Sequence, residues 1–149
     1  MLGNLNDKQI DTLLHSQLVG RLGCNAENRI YVVPVTYVYD GKNIICHSRK
    51  GLKLDMMRKN PEVCFEVDAM ENMANWRSVI VWGTFKELKG EEAKIAMEKL
   101  IDRVNPLLTS ETAYPFDPGE SHERRDTRGF NAVIYQIKVK QKTGRFEKR

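Results

Sequence analysis

Ser48, Arg49, Lys50 and Lys53 crowd around Gly51, where a strand-like segment gives way to a helix-like one. Amides at a helix start have no intrahelical acceptor, the helix dipole turns its positive end there, and nearby Lys or Arg adds full charge, so the arrangement suits a phosphate dianion. Gly51 leaves room for the backbone to approach such an anion, and Lys50 and Lys53 would share one side of the first turn. The same residues would also make an ordinary solvated basic turn. His47 ends the preceding strand and reads either as a half-buried strand histidine held by a backbone carbonyl or as an acid–base group beside a cofactor. The run contains neither Gly-x-x-x-x-Gly-Lys-Ser/Thr nor Gly-x-Gly-x-x-Gly, which argues against a P-loop or a Rossmann dinucleotide site.

Other chemistry is sparse. Cys24, Cys46 and Cys64 are far apart, with no zinc-like spacing, and His15 and His122 have no second ligand placed with them, so no metal site is expected. An odd thiol count without a secretory leader suits reduced cysteines in a cytoplasmic protein, and Met1 to Val19 is too polar for a signal peptide or membrane span. The net charge of +4 is spread along the chain, and the cations Lys138, Lys140, Lys142 and Arg145 alternate as on a solvated strand face. No nucleic-acid partner is therefore expected.

The elements that would position these groups follow from pattern. A length of 149 residues with 41% hydrophobic content makes one domain, residues 1–149. Asn6 and Gln9 form a capping box for a first helix carrying Ile10, Leu13, Leu14 and Leu18. Strands are expected at Val19–Cys24, Ile30–Tyr39, Ile44–Ser48, Val63–Val67, Arg77–Leu88 and Asn131–Lys140, and helices at Leu52–Lys59 and Glu91–Val104. Asp40-Gly41 marks a hairpin, Gly83 permits a bulge, and Pro34 demands an edge or bulge. Trp76, Trp82 and Phe85 read as barrel or interface core. Asn105 to Gly129 reads as a long loop. The order predicts a mainly β (α+β) fold: a six-stranded antiparallel split barrel with flanking helices.

Three stretches, Val33 to Gly41, His47 to Asp55 and Trp76 to Gly83, together resemble the FMN-binding split-barrel family related to pyridoxamine 5'-phosphate oxidase, and within it the nitroimidazole-resistance (Nim) type of nitroreductase. That resemblance implies a homodimer with flavin mononucleotide in clefts between subunits. Val33, Val35 and Thr36 would face the flavin ring, Ser48 and Lys53 would hold the phosphate with Lys50 helping, and Arg77 and Ser78 would come from the neighbouring strand. His47 matches a histidine of the Nim type and is the catalytic candidate. The implied activity passes electrons from NAD(P)H or another donor, through FMN, to a small planar acceptor, with a 5-nitroimidazole as one candidate. A non-catalytic flavin- or haem-binding protein is the alternative. The tail Lys142 to Arg149 has no counterpart of the Trp and Arg with which the true oxidase grips its vitamin B6 substrate.

Overall fold

Period-two alternation of apolar side chains organises the molecule. On the strand after the first hairpin, Val35, Tyr37 and Tyr39 are buried while Ile30, Val32 and Pro34 face outward. A computed structural model describes residues 1–107 and 132–149. Its elements are β1 (Leu2–Asn4), α1 (Asp7–Ser16), β2 (Val19–Ala26), β3 (Arg29–Tyr39), β4 (Ile44–Ser48), α2 (Leu52–Lys59), β5 (Glu62–Asn72), β6 (Asn75–Glu87), α3 (Gly90–Val104), a turn of 3-10 helix (Asn105–Leu107) and β7 (Val133–Glu147). Residues 108–131, which hold His122 and most of the expected long loop, lie outside the described part.

The sheet runs β1-β7-β4-β3-β2-β5-β6, and β6 also pairs with β7, so six antiparallel strands close into the expected ring. The short β1 is an addition that the sequence pattern missed; among the described residues it pairs only with the end of β7. That end exists because β7 continues to Glu147, past the expected stop at Lys140. Opposite Trp82 and Gly83 the register shifts, leaving Lys140 as the extra residue of a bulge on β7. A Cβ at Gly83 would stand 2.5 Å from Lys138 O, so only glycine allows this approach.

Two helices close the two ends of the ring. At one end the capping box of Asn6 and Gln9 starts α1, whose Leu13 and Leu14 are fully buried, and Tyr37 Oη donates to Leu14 O at 2.6 Å. At the other, Leu54 and Met57 of α2 enter the same core, and Asn60 Nδ2 donates to Asn25 O at 2.8 Å. Outside the ring, α3 sets Ala96, Met97, Leu100 and Ile101 against Ile45 and Ile134, a separate apolar cluster. The tight turn between β2 and β3 places Glu27 and Asn28 at positive φ, the geometry a two-residue hairpin needs. In the Asp40-Gly41 turn only Gly41 has positive φ, while Asp40 Oδ1 accepts from Lys42 N and Asn43 N. Among the described residues no helix is long and apolar enough to cross a membrane.

Candidate functional site

The β3–β4 ladder holds Tyr39 to Ile44, Val38 to Ile45 and Tyr37 to Cys46, and then stops. The next pair in register would be Thr36 with His47, but the strands part there, while β4 stays paired with β7 through Ser48 and Val133. From Arg29 to Thr36, β3 has strand β2 on one side and, among the described residues, no strand on the other. Pro34, exposed on this free stretch, therefore sits at an edge as its missing donor requires.

The parting strands place the expected residues unequally. Thr36 and His47 are both half-buried and project to the outer side, the side on which Val38 and Ile45 meet the α3 cluster. Val35 is buried and Val33 packs on the core, so their side chains turn away from the outer groove and only their backbone borders it. Ser48 is 5% exposed and donates from Oγ to Arg49 O at 2.8 Å, which folds its hydroxyl onto the loop it introduces.

At the helix start, Gly51 is the N-cap and supplies no side chain, so the first amides of α2 have no side-chain acceptor. Its φ of 175° is extended backbone that any residue adopts, so glycine is not needed there for conformation. Its contribution is clearance: a Cβ at this position would meet only Arg49 O, at 4.0 Å. Arg49 and Lys50 are exposed and Lys53 is half-buried. The Lys53 charge is felt inside the ring, where it lowers the pKa of both Cys24 and Cys46 against the stronger upward effect of burial. Open amides, an unobstructed glycine and three cations form a donor set that fits a phosphate monoester.

Beneath the cradle lies a buried pair that the sequence did not announce. Cys46 and Tyr135 are cross-strand partners, both fully buried. Burial pushes the Cys46 thiol up to about 12, against smaller lowering effects from Tyr135 and Lys53, and burial likewise drives Tyr135 far above its ordinary value. The Tyr135 hydroxyl stands against a thiol, a poor acceptor, and meets no stronger partner among the described residues. Alternation marks both residues as inward, but their pairing depends on strand order.

Arg77 and Ser78 stand elsewhere. Glu87, at the α2 end of β6, is ion-paired with Arg58 of that helix, and Arg77 is at the other end of the strand, about 33 Å away along an extended chain. Alternation also sends the two residues to opposite faces: Ser78 Oγ donates to Glu66 Oε1 at 3.2 Å on the outer face, while Arg77 lines a cleft beside α1. Within one protomer the structure brings together Thr36, His47, Ser48, Lys50 and Lys53, and leaves Arg77 and Ser78 apart. The outer face itself exposes Ile30 (77%), Val32 (63%), Ile80 (36%) and Trp82 (41%). Of the expected aromatic core, Phe85 is buried, Trp76 is half-buried and Trp82 lies on this surface.

This fold and cradle define a split-barrel protein of the flavin-binding kind. The family model for pyridoxamine 5'-phosphate oxidase matches residues 6–146, and the chain belongs to that family. A FAD-binding protein from Mesorhizobium loti is similar over 100% of this chain and 98% of its own, at 25% identity and a TM-score of 0.76. A candidate 5-nitroimidazole antibiotic resistance protein from Bacteroides thetaiotaomicron shares the fold at 16% identity, with a TM-score of 0.72 over 98% of this chain and 87% of that one. An FAD- and haem-binding protein from Mycobacterium smegmatis does so at 15% identity and a TM-score of 0.73, over 99% and 74%. An uncharacterized protein of Rhizobium meliloti is 37% identical over 70 residues, so that the match spans 47% of this chain and less than half, 46%, of that relative.

Proposed function

We propose that the chain is an FMN-dependent oxidoreductase that carries electrons from NAD(P)H or another donor to a small planar acceptor, a 5-nitroimidazole being one candidate. The observation that carries this reading is the uncapped, cation-flanked start of α2 at the point where β3 and β4 part, in a chain of a flavin-binding family. Lys53, Lys50 and the first amides of α2 would hold the phosphate, and Ser48 would join them by turning its hydroxyl from Arg49 O. The backbone of Val33 and Val35, with the side chain of Thr36, would border the ring. A bound flavin supplies the redox chemistry, and the protein's own task is to bind, orient and shield. His47, on the same outer side as Thr36, would deliver a proton from its imidazole as charge grows on the acceptor.

One phosphate cradle suits FMN, whereas FAD needs a place for a second phosphate and an adenosine. A second copy of the chain is the proposed partner, seated on the outer face that exposes Ile30, Val32, Ile80 and Trp82. Ser78 lies on that face and would meet the partner's flavin; Arg77, exposed on the opposite side of the strand beside α1, would not. Cys24, Cys46 and Cys64 are free thiols, as suits the reducing cytoplasm in which we place the protein.

The test is the absorption spectrum and mass of the group released from purified protein, followed by anaerobic addition of NADH and NADPH. FMN bleached by either nucleotide and recovered on adding a nitroimidazole or quinone supports the reading. Released FAD replaces the cofactor assignment, and a Soret band without flavin overturns it.

A further inference from the structure

Strand order sets a pair of carboxyls in the middle of the apolar outer face. Glu66 and Asp68, two residues apart on β5, project to the same side and are both half-buried. Glu66 stands in register between Arg21 of β2 and Ile80 of β6, and the neighbouring row on that face sets Cys64 between Gly23 and Trp82. Pro34 and Val32 of β3 extend the two rows. Ser78 Oγ donates to Glu66 Oε1 at 3.2 Å, and Arg21 Nη1 lies 3.6 Å from Asp68 Oδ2. Arg145, opposite Ser78 on β7, is two strands from Asp68 and makes no ion pair with a described residue.

One arginine therefore serves two adjacent carboxyls. The cluster carries a negative charge when both are ionised and none when they share a proton. Burial, together with the hydrogen bond and charge of Asp68, raises the Glu66 carboxyl above its ordinary 4.5, against smaller lowering by Ser78 and Arg21. A second copy seated on this face would strip the remaining water from Glu66. Among Ile80, Trp82 and Val32, a carboxylate without its own cation costs far more to dehydrate than a neutral acid does. We propose that the outer face carries a proton switch on assembly: two copies close when Glu66 of each is protonated and shares its proton with Asp68, and they part as that proton is lost. The switch rests on the dimer reading given above. Because the dimer holds the Glu66 proton more tightly than the monomer, association takes up protons, so acid tightens the dimer and alkali loosens it.

The test measures the dimer dissociation constant by sedimentation between about pH 5.5 and about pH 8 at fixed ionic strength. It uses flavin-bearing protein with flavin content recorded, and a fixed urea concentration brings dissociation into range. The constant should rise at least about tenfold across that range, and by up to about a hundredfold per pH unit where both copies titrate together. Glu66→Gln, which copies the neutral acid, should keep the acidic affinity at every pH and flatten the profile. Asp68→Asn should flatten it as well, because one arginine then meets one carboxylate, and it decides in the same way if Glu66→Gln does not fold. A dimer whose constant ignores pH, or a parent-like profile in Glu66→Gln, overturns the switch and leaves the interface standing. A monomer at every pH removes the interface and the switch together.

Discussion

Replacing Lys53 by Met separates ligand binding from stability at one residue. Lys53 is the second residue of α2, half-buried, and makes no ion pair among the described residues, so its removal leaves no carboxylate stranded. The Met side chain keeps most of the aliphatic stem. Fold stability should therefore stay within about 0.5 kcal/mol of the parent. A charge-assisted hydrogen bond to phosphate is worth about 1.5–3 kcal/mol, so the dissociation constant for FMN should rise by about 13- to 160-fold. Quenching of flavin fluorescence on titrating apoprotein reads the first quantity, and a thermal melt without flavin reads the second. Unchanged flavin affinity would refute the cradle. Weaker affinity with a melting temperature that falls to match would also refute the reasoning, because Lys53 would then be holding the helix rather than the ligand.

His47→Gln should retain flavin and lower the rate per bound flavin by about 10²–10⁴-fold, and a normal rate per flavin with reduced stability would return His47 to a packing role. Burial raises the Asp11 carboxyl, but hydrogen bonds from Lys142 at 2.8 Å and Tyr39 at 3.0 Å outweigh it and leave its pKa below the ordinary 3.8. The stability it provides is thus present above pH 3.8 and lost as pH falls through the lowered native value; Asp11→Asn should remove that acid-dependent step from melts, at a cost of about 0.5–1 kcal/mol near neutrality because the pair is partly screened. Gly83→Ala puts a methyl 2.5 Å from Lys138 O and should destabilise by about 1–3 kcal/mol in denaturant titrations, with little change expected from Gly51→Ala in the same assay. Trp82→Glu should shift sedimentation from dimer to monomer, and a parent protein that sediments as a flavin-loaded monomer would remove the outer face as an interface.

What could be read from the chain was what neighbouring residues decide together. Asn6 with Gln9 announced α1 through a reciprocal cap, Asn60-Pro61 stopped α2 at Lys59, and the cation-flanked start of α2 was legible because its loop, glycine and lysines are contiguous. Features set by distant residues were hidden. β7 outruns its expected end because the bulge at Lys140, opposite Gly83, interrupts the alternation that marks a strand. Lys142, which reads as one more solvated cation, is folded against Asp11 and Tyr39. The separation of Arg77 from Lys53 within one protomer has the same origin: strand direction and the alternation of side chains, neither visible in a local motif, place them at opposite ends of the ring.

The free stretch of β3 from Arg29 to Thr36 bears on how this chain meets other chains. An unpaired strand carrying exposed Ile30 and Val32 is a template on which other chains can stack edge to edge. Pro34, midway along, withholds one donor from any such ladder, and Arg29 places a charge at its start. A proline that first reads as an interruption of a strand therefore removes one rung from any edge-to-edge ladder that another chain could build on a stretch which, among the described residues, the ring leaves open.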